Sequence, residues 1–559
     1  MNKLFTFTAA AIISALPIIN CNAEECSYNT ISSSDSSYYA IASTGDLYEI
    51  PYLNKEYDGE YGSFEDLETS KLIPKIIMDN ALSISKNYII KDDHTLWKWN
   101  EETQSAEYIY DNVKKVSAGK SHILFLTTDN TLYGIGSNVF GELAQGTCSL
   151  TVDEQVSLLQ QKGSAALSNT AICTPEKFDL PVKIEDDVKD ITAGDSCSYF
   201  LKPDGSLYRC GYVADKEITY GKFNLPARLT IIKPEKFMEN VNNIYGGGEA
   251  FFASVNDDSN TLFGWGNSDI NYAGSPVQAV PAAYSSGIRS ISVHPEYNYI
   301  TDINSSLIRI SSNFLSPSSS TVMDDVNCTS GSIYGDTFRD RQMVLKNSGE
   351  LFMLEFDDSD NKTLTKFKNN IRLSFTEPIN VNYNDISELP DIEKSAVQKM
   401  SRSGIFNGTS EESFSPAKSL SRAEAAALIL RITNKQNEYN IPDFSDVNSD
   451  NWFYNISGSA KKYGIMNGFE DNTFRGNSSI SGIQFISIAA RTLKGNSLHD
   501  LSDTSIELPS EIPLWAYDDI KTAVSGNLIS LSELKDFISG NDISRSKAAV
   551  ILYRLYNEI

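Results

Sequence analysis

A chain of 559 residues is long enough for several domains, and its 41% hydrophobic content excludes wholesale disorder. Asp and Glu number 73 against 47 Lys and Arg, a formal net charge of −26, which disfavours binding to phosphate backbones. The imbalance is uneven: residues 386–559 carry −5 and residues 1–385 carry −21.

The first 23 residues combine Lys3, an apolar run from Ala9 to Ile19 and the small residue Ala23 at a cleavage point. This reads as a secretory signal, too short for a stable membrane span. Cys21 would suit a lipid-modified cysteine, but Asn20 before it departs from a lipobox. No other apolar run approaches membrane length, so no transmembrane segment is expected and the exported chain should be soluble.

Residues 24–375 show a strand periodicity. Val116 to Tyr133 read VSAGKSHILFLTTDNTLY, Ile191 to Tyr208 read ITAGDSCSYFLKPDGSLY, and Ile31 to Tyr48 read ISSSDSSYYAIASTGDLY. With weaker copies there are seven units, whose leucines after the turn are Leu47, Leu96, Leu132, Leu207, Leu262, Leu307 and Leu351. Each unit is an apolar strand, a turn such as Asp129-Asn130 or Asp204-Gly205, and a second strand. A lone hairpin cannot bury its apolar face, and seven units of roughly fifty residues suit an all-β, seven-bladed propeller.

Unit three continues through Gly134-Ile135-Gly136-Ser137-Asn138-Val139-Phe140-Gly141-Glu142-Leu143, which resembles the repeat of the chromosome-condensation regulator (RCC1) family. The resemblance implies a seven-bladed propeller over about residues 24–375, a fold that hosts nucleotide exchange on a small GTPase, chromatin binding and inhibition of secreted enzymes. The acidic charge argues against nucleic acid, and export argues against a GTPase. The expected partner is an extracellular protein or glycan.

Catalytic signatures are not evident, and no catalytic residue, cofactor or metal is assigned. The four histidines, His94, His122, His294 and His499, lack ligand spacing; His122 falls where the family repeat carries a structural His. There is no Gly-x-Ser-x-Gly elbow or phosphate loop. The clusters Glu185-Asp186-Asp187 and Asp357-Asp358-Ser359-Asp360 lack a calcium-loop pattern and read as solvated turns. Carboxylates converging from different blades would make the propeller a wall-attached glycan hydrolase or lyase, the alternative to a recognition module. A structural array protein is a third reading.

Without Cys21, six cysteines remain, an even number suited to oxidising surroundings. Counting outward from the turn Lys202-Pro203-Asp204-Gly205 sets Cys197 opposite Cys210, unless a bulge at Gly205 shifts the register by one. Cys148 with Cys173 would pin the insertion between units three and four, and Cys26 with Cys328, by elimination, would join unit one to unit seven. Free thiols are the competing expectation. The insertion, from about Gly146 to Val188, reads either as a functional loop or as a plain surface excursion.

After a linker at 376–385, one spacing recurs three times, over residues 386–437, 438–497 and 498–559. From Ile405, Ile465 and Leu528, a Phe follows at nine residues (Phe414, Phe474, Phe537), a Ser at sixteen (Ser421, Ser481, Ser544) and an Arg ten beyond the Ser (Arg431, Arg491, Arg554). Trp452 and Trp515 stand thirteen residues before the start of copies two and three. Apolar residues at helical spacing follow each Ser, so the Ser is an N-cap, and Ser421 with Glu424 and Ser481 with Gln484 make capping boxes. Capping accounts for Ser and Glu but not for Arg422 and Arg545, because a cation in the first turn opposes the helix dipole. An Arg beside free backbone N–H groups would make an anion pocket.

These three segments resemble bacterial S-layer homology domains. The family's Ile-Thr-Arg-Ala-Glu stretch appears as Leu420-Ser421-Arg422-Ala423-Glu424, its Gly-Ile-x-x-Gly turn as Gly404 to Gly408 and Gly464 to Gly468, and its Phe-x-Asp-Val opening as Phe444 to Val447. The resemblance implies an all-α, three-pronged bundle holding a secreted protein noncovalently on a bacterial cell-wall polysaccharide, often a pyruvylated one. It implies Ser421, Arg422, Glu424, Trp452, Trp515, Ser544 and Arg545 as polysaccharide-binding residues. Copy two departs with Gly482 and Gln484, copy three with Lys547, and copy one has Ile392 in place of the Trp, so at most two full-strength pockets are expected.

Overall fold

Leu47, Leu96, Leu132, Leu207, Leu262, Leu307 and Leu351 are all fully buried, and each opens the third strand of a four-stranded antiparallel sheet. The structure is a computed structural model. It describes residues 29–559 except 35–36, 52–73, 163–171, 221–222, 248–249, 256–261, 267–276, 279–287, 294–296, 312–318, 332–339, 357–361, 369–370, 372–380, 436–439 and 497–505. The secretory segment, Cys21, Cys26, His294, His499 and Asp357 to Asp360 therefore lie outside the described residues.

Seven such sheets form the seven-bladed propeller expected from the repeats. Blade 1 runs Ile31–Ser33, Ser37–Ile41, Leu47–Pro51 and Lys75–Met78, and the other blades follow the same order. In blade 3 the fourth strand, Lys177–Glu185, arrives only after the insertion. Neighbouring blades share apolar cores: Leu124, Leu126, Leu132 and Leu143 of blade 3 meet Ile191, Ala193 and Phe200 of blade 4. Each Leu, Ile or Phe side chain here contributes about 2 kcal/mol when fully buried. The ring closes where Ile31, Tyr38, Ala40 and Ile50 of blade 1 pack on Cys328, Met343, Leu345 and Met353 of blade 7. Ala42 also bridges Ile371 there.

The turns between second and third strands hold one residue at positive φ, among them Gly45 (84°), Asn130 (69°), Gly205 (81°) and Gly349 (81°). In blade 4, Lys202 N donates to Ser206 O and Gly205 N to Lys202 O, a type I turn with a bulge. The bulge moves the register by one, so Cys197 faces Gly211 and Ser198 faces Cys210. Successive strand residues leave opposite faces of the sheet. Cys197 packs toward blade 5 with Tyr199 and Phe251, while the Cys210 thiol donates to Glu142 O on the blade 3 side at 3.4 Å. The turn therefore takes the shifted register of the two it allows, and Cys210 is set opposite Ser198 instead of Cys197.

His122 is buried between blades 3 and 4. Its Nε2 lies 2.9 Å from Ser198 Oγ, whose hydroxyl donates to Glu142 O at 2.7 Å, which assigns the imidazole hydrogen to Nε2. Burial, reinforced by Lys86, pushes the imidazole down to about 4. The insertion is ordered scaffold where described. Its helix α1 (Val152–Lys162) lies on blade 4, with the Gln155 amide bonding both Thr230 N and Thr230 O.

The tail supplies α2 (Asp391–Arg402), α3 (Arg422–Ile432), α4 (Tyr454–Lys462), α5 (Gly482–Asn496), α6 (Tyr517–Ser525), α7 (Leu531–Ile538) and α8 (Arg545–Glu558). It docks on the turns of blades 1 and 2. Lys399 of α2 pairs at 2.5 Å with the fully buried Asp46, which also accepts from Tyr553 of α8 at 3.0 Å. Ser43 meets the Tyr556 hydroxyl at 2.9 Å, Tyr48 donates to Asn557 at 2.8 Å, and Arg402 forks onto Asp92. A Cβ on Gly45 would strike the Arg402 guanidinium at 2.7 Å.

Two outcomes follow from this packing. Asp46→Ala leaves the Lys399 ammonium without its buried partner and should destabilise the coupled unit by about 3 kcal/mol, splitting a joint calorimetric transition into two. For His122, the unfolded ring titrates near its ordinary 6.5 while the native ring resists protonation down to about 4. Its contribution is therefore present above pH 6.5 and lost as pH falls toward 4, at most about 3 kcal/mol. His122→Asn should flatten the melting-temperature profile across that window.

Candidate functional site

Leu420, Ile480 and Ile543 precede the capping serines of the three copies, and their backbones form a closed triangle. Leu420 N donates to Ile543 O at 3.1 Å, Ile543 N to Ile480 O at 3.0 Å, and Ile480 N to Leu420 O at 3.0 Å. A second cycle surrounds it, from Arg422 N to Ser478 O, Gly482 N to Asn541 O and Arg545 N to Lys418 O. Bridges Ser421–Ser479, Ser481–Asp542 and Ser544–Ser419 repeat the same relation. Each copy therefore presents the start of its helix to the loop of the next: one to two, two to three, three to one.

This geometry corrects the premise of free helix donors. Arg422 N and Ala423 N are taken by Ser478 O and Gly476 O of copy two, and Glu424 N by Ser421 Oγ. In copy three, Arg545 N, Ser546 N and Lys547 N go to Lys418 O, Pro416 O and Ser544 Oγ. The capping boxes at Ser421–Glu424 and Ser481–Gln484 form as expected.

The arginines staple copies together. Arg422 is buried, its Nε donating to Phe474 O at 3.0 Å and its guanidinium lying 4.5 Å from Phe469 and 5.8 Å from Phe474. Arg545 donates from Nε to Phe414 O at 2.8 Å and from Nη2 to Asn407 O at 2.7 Å, over Phe406 and Phe414. A charge-assisted hydrogen bond, about 1.5–3 kcal/mol, with a cation–π contact, outweighs the roughly 0.3–1 kcal/mol cost of opposing the dipole.

The junctions are unequal. Burial, and then Arg475, holds the Arg422 guanidinium below its ordinary range. Burial does the same to Arg545, against the opposing pull of Glu424, Tyr383 and Asp385. Both Nη groups of Arg422 lack a hydrogen-bond partner among the described residues. From Arg422, adjoining rings lead through Phe474 and Phe453 to Trp452, which is 59% exposed. Where copy two meets copy three, Gly482 replaces the Arg, a Cβ there would lie 2.2 Å from Phe537, and Trp515 is 56% exposed. Where copy three meets copy one, Arg545 faces the copy whose Trp position holds Ile392, 54% exposed. Arg and Trp coincide only at the first junction.

Comparison with known proteins bears on both halves. The model of the S-layer homology domain matches residues 382–426 and 443–486, and that of the regulator of chromosome condensation (RCC1) repeat matches 113–142. The chain carries S-layer homology domains and an RCC1 repeat. Copy three, outside the matched residues, takes its place in the triangle through Ile543. The chain is 29% identical to exoglucanase XynX of Acetivibrio thermocellus over 31% of its own length and 16% of the relative's, a match through the S-layer homology region. It is 26% identical to the surface-layer 125 kDa protein of Lysinibacillus sphaericus (32% and 15%), and 31% identical to guanine nucleotide exchange factor SRM1 of Saccharomyces cerevisiae (21% and 20%). The chain thus spans a fifth or less of the length of these relatives. Its S-layer homology domains mark association with the bacterial cell surface, and no helix among the described residues is long and apolar enough to cross a membrane.

Sequence reading missed α7, although Ser530 and Glu533 form a third capping box there and Glu533 forks onto Arg554. The Ser-Leu-Ser-Glu spacing carried that signal. It also missed Phe469 and Arg475, which flank Arg422 only because copy two folds against copy one. Gly482→Ala should lower the tail's stability by about 1–3 kcal/mol through the Phe537 clash, although Ala is the better helix former by about 1 kcal/mol. Chemical denaturation of the full chain measures the sign.

Proposed function

We propose that this protein is tethered to an anionic cell-wall polysaccharide, such as a pyruvylated one, through one composite site where S-layer homology copies one and two meet, and that it displays its propeller to an extracellular protein or glycan. The reading rests on one observation: only there do an unshared guanidinium edge, at Arg422, and an exposed indole, at Trp452, belong to the same junction. Arg475 adds a second cation over the shared Phe469 ring, 4.0 Å from its centroid. A guanidinium edge takes a carboxylate or phosphate, and an indole face takes the apolar side of a sugar ring. Ser421 and Glu424 hold the helix start that carries Arg422. Ser544, Arg545 and Trp515 contribute less to binding, since Arg545 has spent two donors on copy one and Trp515 has no Arg across its junction.

The anchor covers the second-to-third-strand turns of blades 1 and 2, and Asn434 reaches the blade 7 turn at Ser348 O. We assign the partner to the opposite end of the propeller.

Sedimentation of the full chain with purified cell walls tests this. Arg422→Gln and Trp452→Ala should each weaken binding by about tenfold or more, and Arg545→Gln and Trp515→Ala by less than about threefold in folded protein. Equal losses at Arg422 and Arg545 would reject the single site, and wild-type protein that ignores the walls would reject tethering.

A further inference from the structure

The blade 3 insertion brings two cysteines face to face. Thr147–Cys148 pairs antiparallel with Cys173–Thr174, setting Cys148 directly opposite Cys173. The ladder bond beside them runs from Ser149 N to Ile172 O at 2.9 Å, and Cys173 sends its own N–H to Val139 O at 2.8 Å. Cys148 and Cys173 thus form a non-hydrogen-bonded pair, where opposing Cα atoms stand about 4.5 Å apart, within the roughly 4.4–6.8 Å that a disulfide spans. The strands are forced close: Gly146 has φ 78°, and a Cβ on it would lie 2.1 Å from Thr174 O. Burial and the adjoining Cys148 thiol together push the Cys173 thiol up to about 12.

Between the two cysteines lies α1, held on blade 4 by the Gln155–Thr230 amide pair and by Leu159 in the core with Tyr199 and Leu229. The other two cysteines nearby are placed differently. Cys197 and Cys210 leave opposite faces of their sheet, one toward blade 5 and one toward Glu142.

We propose that Cys148 and Cys173 form a disulfide at the cell surface, that Cys197 and Cys210 remain thiols, and that the bond is a redox-sensitive clasp fixing α1 to blade 4. The half-buried Cys148 is the entry point, since Cys173 is fully buried. The Cys148 thiolate attacks an external disulfide, either a small molecule or an oxidised dithiol protein, and releases one thiolate. Cys173 then loses its proton and attacks the Cys148 sulfur of the mixed disulfide, expelling the second thiol. Two protein thiols are oxidised, and one external disulfide is reduced to two thiols.

Oxidised glutathione, followed by alkylation under denaturing conditions and peptide mapping of the full chain, provides the test. The expected product links the Cys148 and Cys173 peptides and leaves Cys197 and Cys210 alkylated. Amide exchange in α1 should slow on oxidation, and reductant should restore it. Cys148→Ser should exchange like the reduced wild type under both conditions. Alkylation of Cys148 and Cys173 in the oxidised sample, or a Cys197–Cys210 link, would overturn the assignment. A correct link with unchanged α1 exchange would overturn the clasp.

Discussion

Three backbone hydrogen bonds hold the tail together, and they close on one another. Leu420, Ile480 and Ile543 each give a donor to one neighbour and an acceptor to the other, so no copy satisfies its own backbone at this point. Buried N–H and C=O groups must be paired, and the triangle pairs them only when all three copies are present in the same cyclic order. That order dictates which helix start meets which loop. It is why Arg422 packs on Phe469 and Phe474 of the next copy, in line with Phe453 and Trp452, and not on the aromatic residues of its own.

The same constraint explains the mixed roles of the arginines. A guanidinium has five donors in a fixed fork, enough to close a junction and still offer an edge outward. Arg545 commits two nitrogens to copy one, at Phe414 O and Asn407 O, whereas Arg422 commits Nε alone. Gly482 removes the fork, and Phe537 fills its place. One repeated spacing thus supports three junctions of different chemistry, through single differences at equivalent positions.

Much of this architecture was legible in the letters. The seven leucines after the turns announced seven blades because each opens a blade's third strand, where it is fully buried, and the Ser-x-x-Glu pattern announced capping because both partners are local. What could not be read depended on contacts between copies. The fate of the helix donors at Arg422 and Ala423 lies with Ser478 and Gly476, more than fifty residues away, and no local rule reports that. The Cys197 register turned on whether Gly205 took a bulge, a choice the turn sequence Lys-Pro-Asp-Gly allowed in two ways. The cysteine pair at 148 and 173 was found by spacing around an insertion, but its directly opposed placement required the strands to be seen.

Helix α8 contacts both ends of the molecule. Its first residues close the triangle on copy one, and Tyr553, Tyr556 and Asn557 further along dock on blade 1, the blade that also seals the propeller ring. Helix α8 is therefore the element that both completes the tail and couples it to the first blade. Both contacts sit on one helix, so loosening the Tyr553 and Tyr556 seats on blade 1 would also loosen the closure of the triangle on copy one.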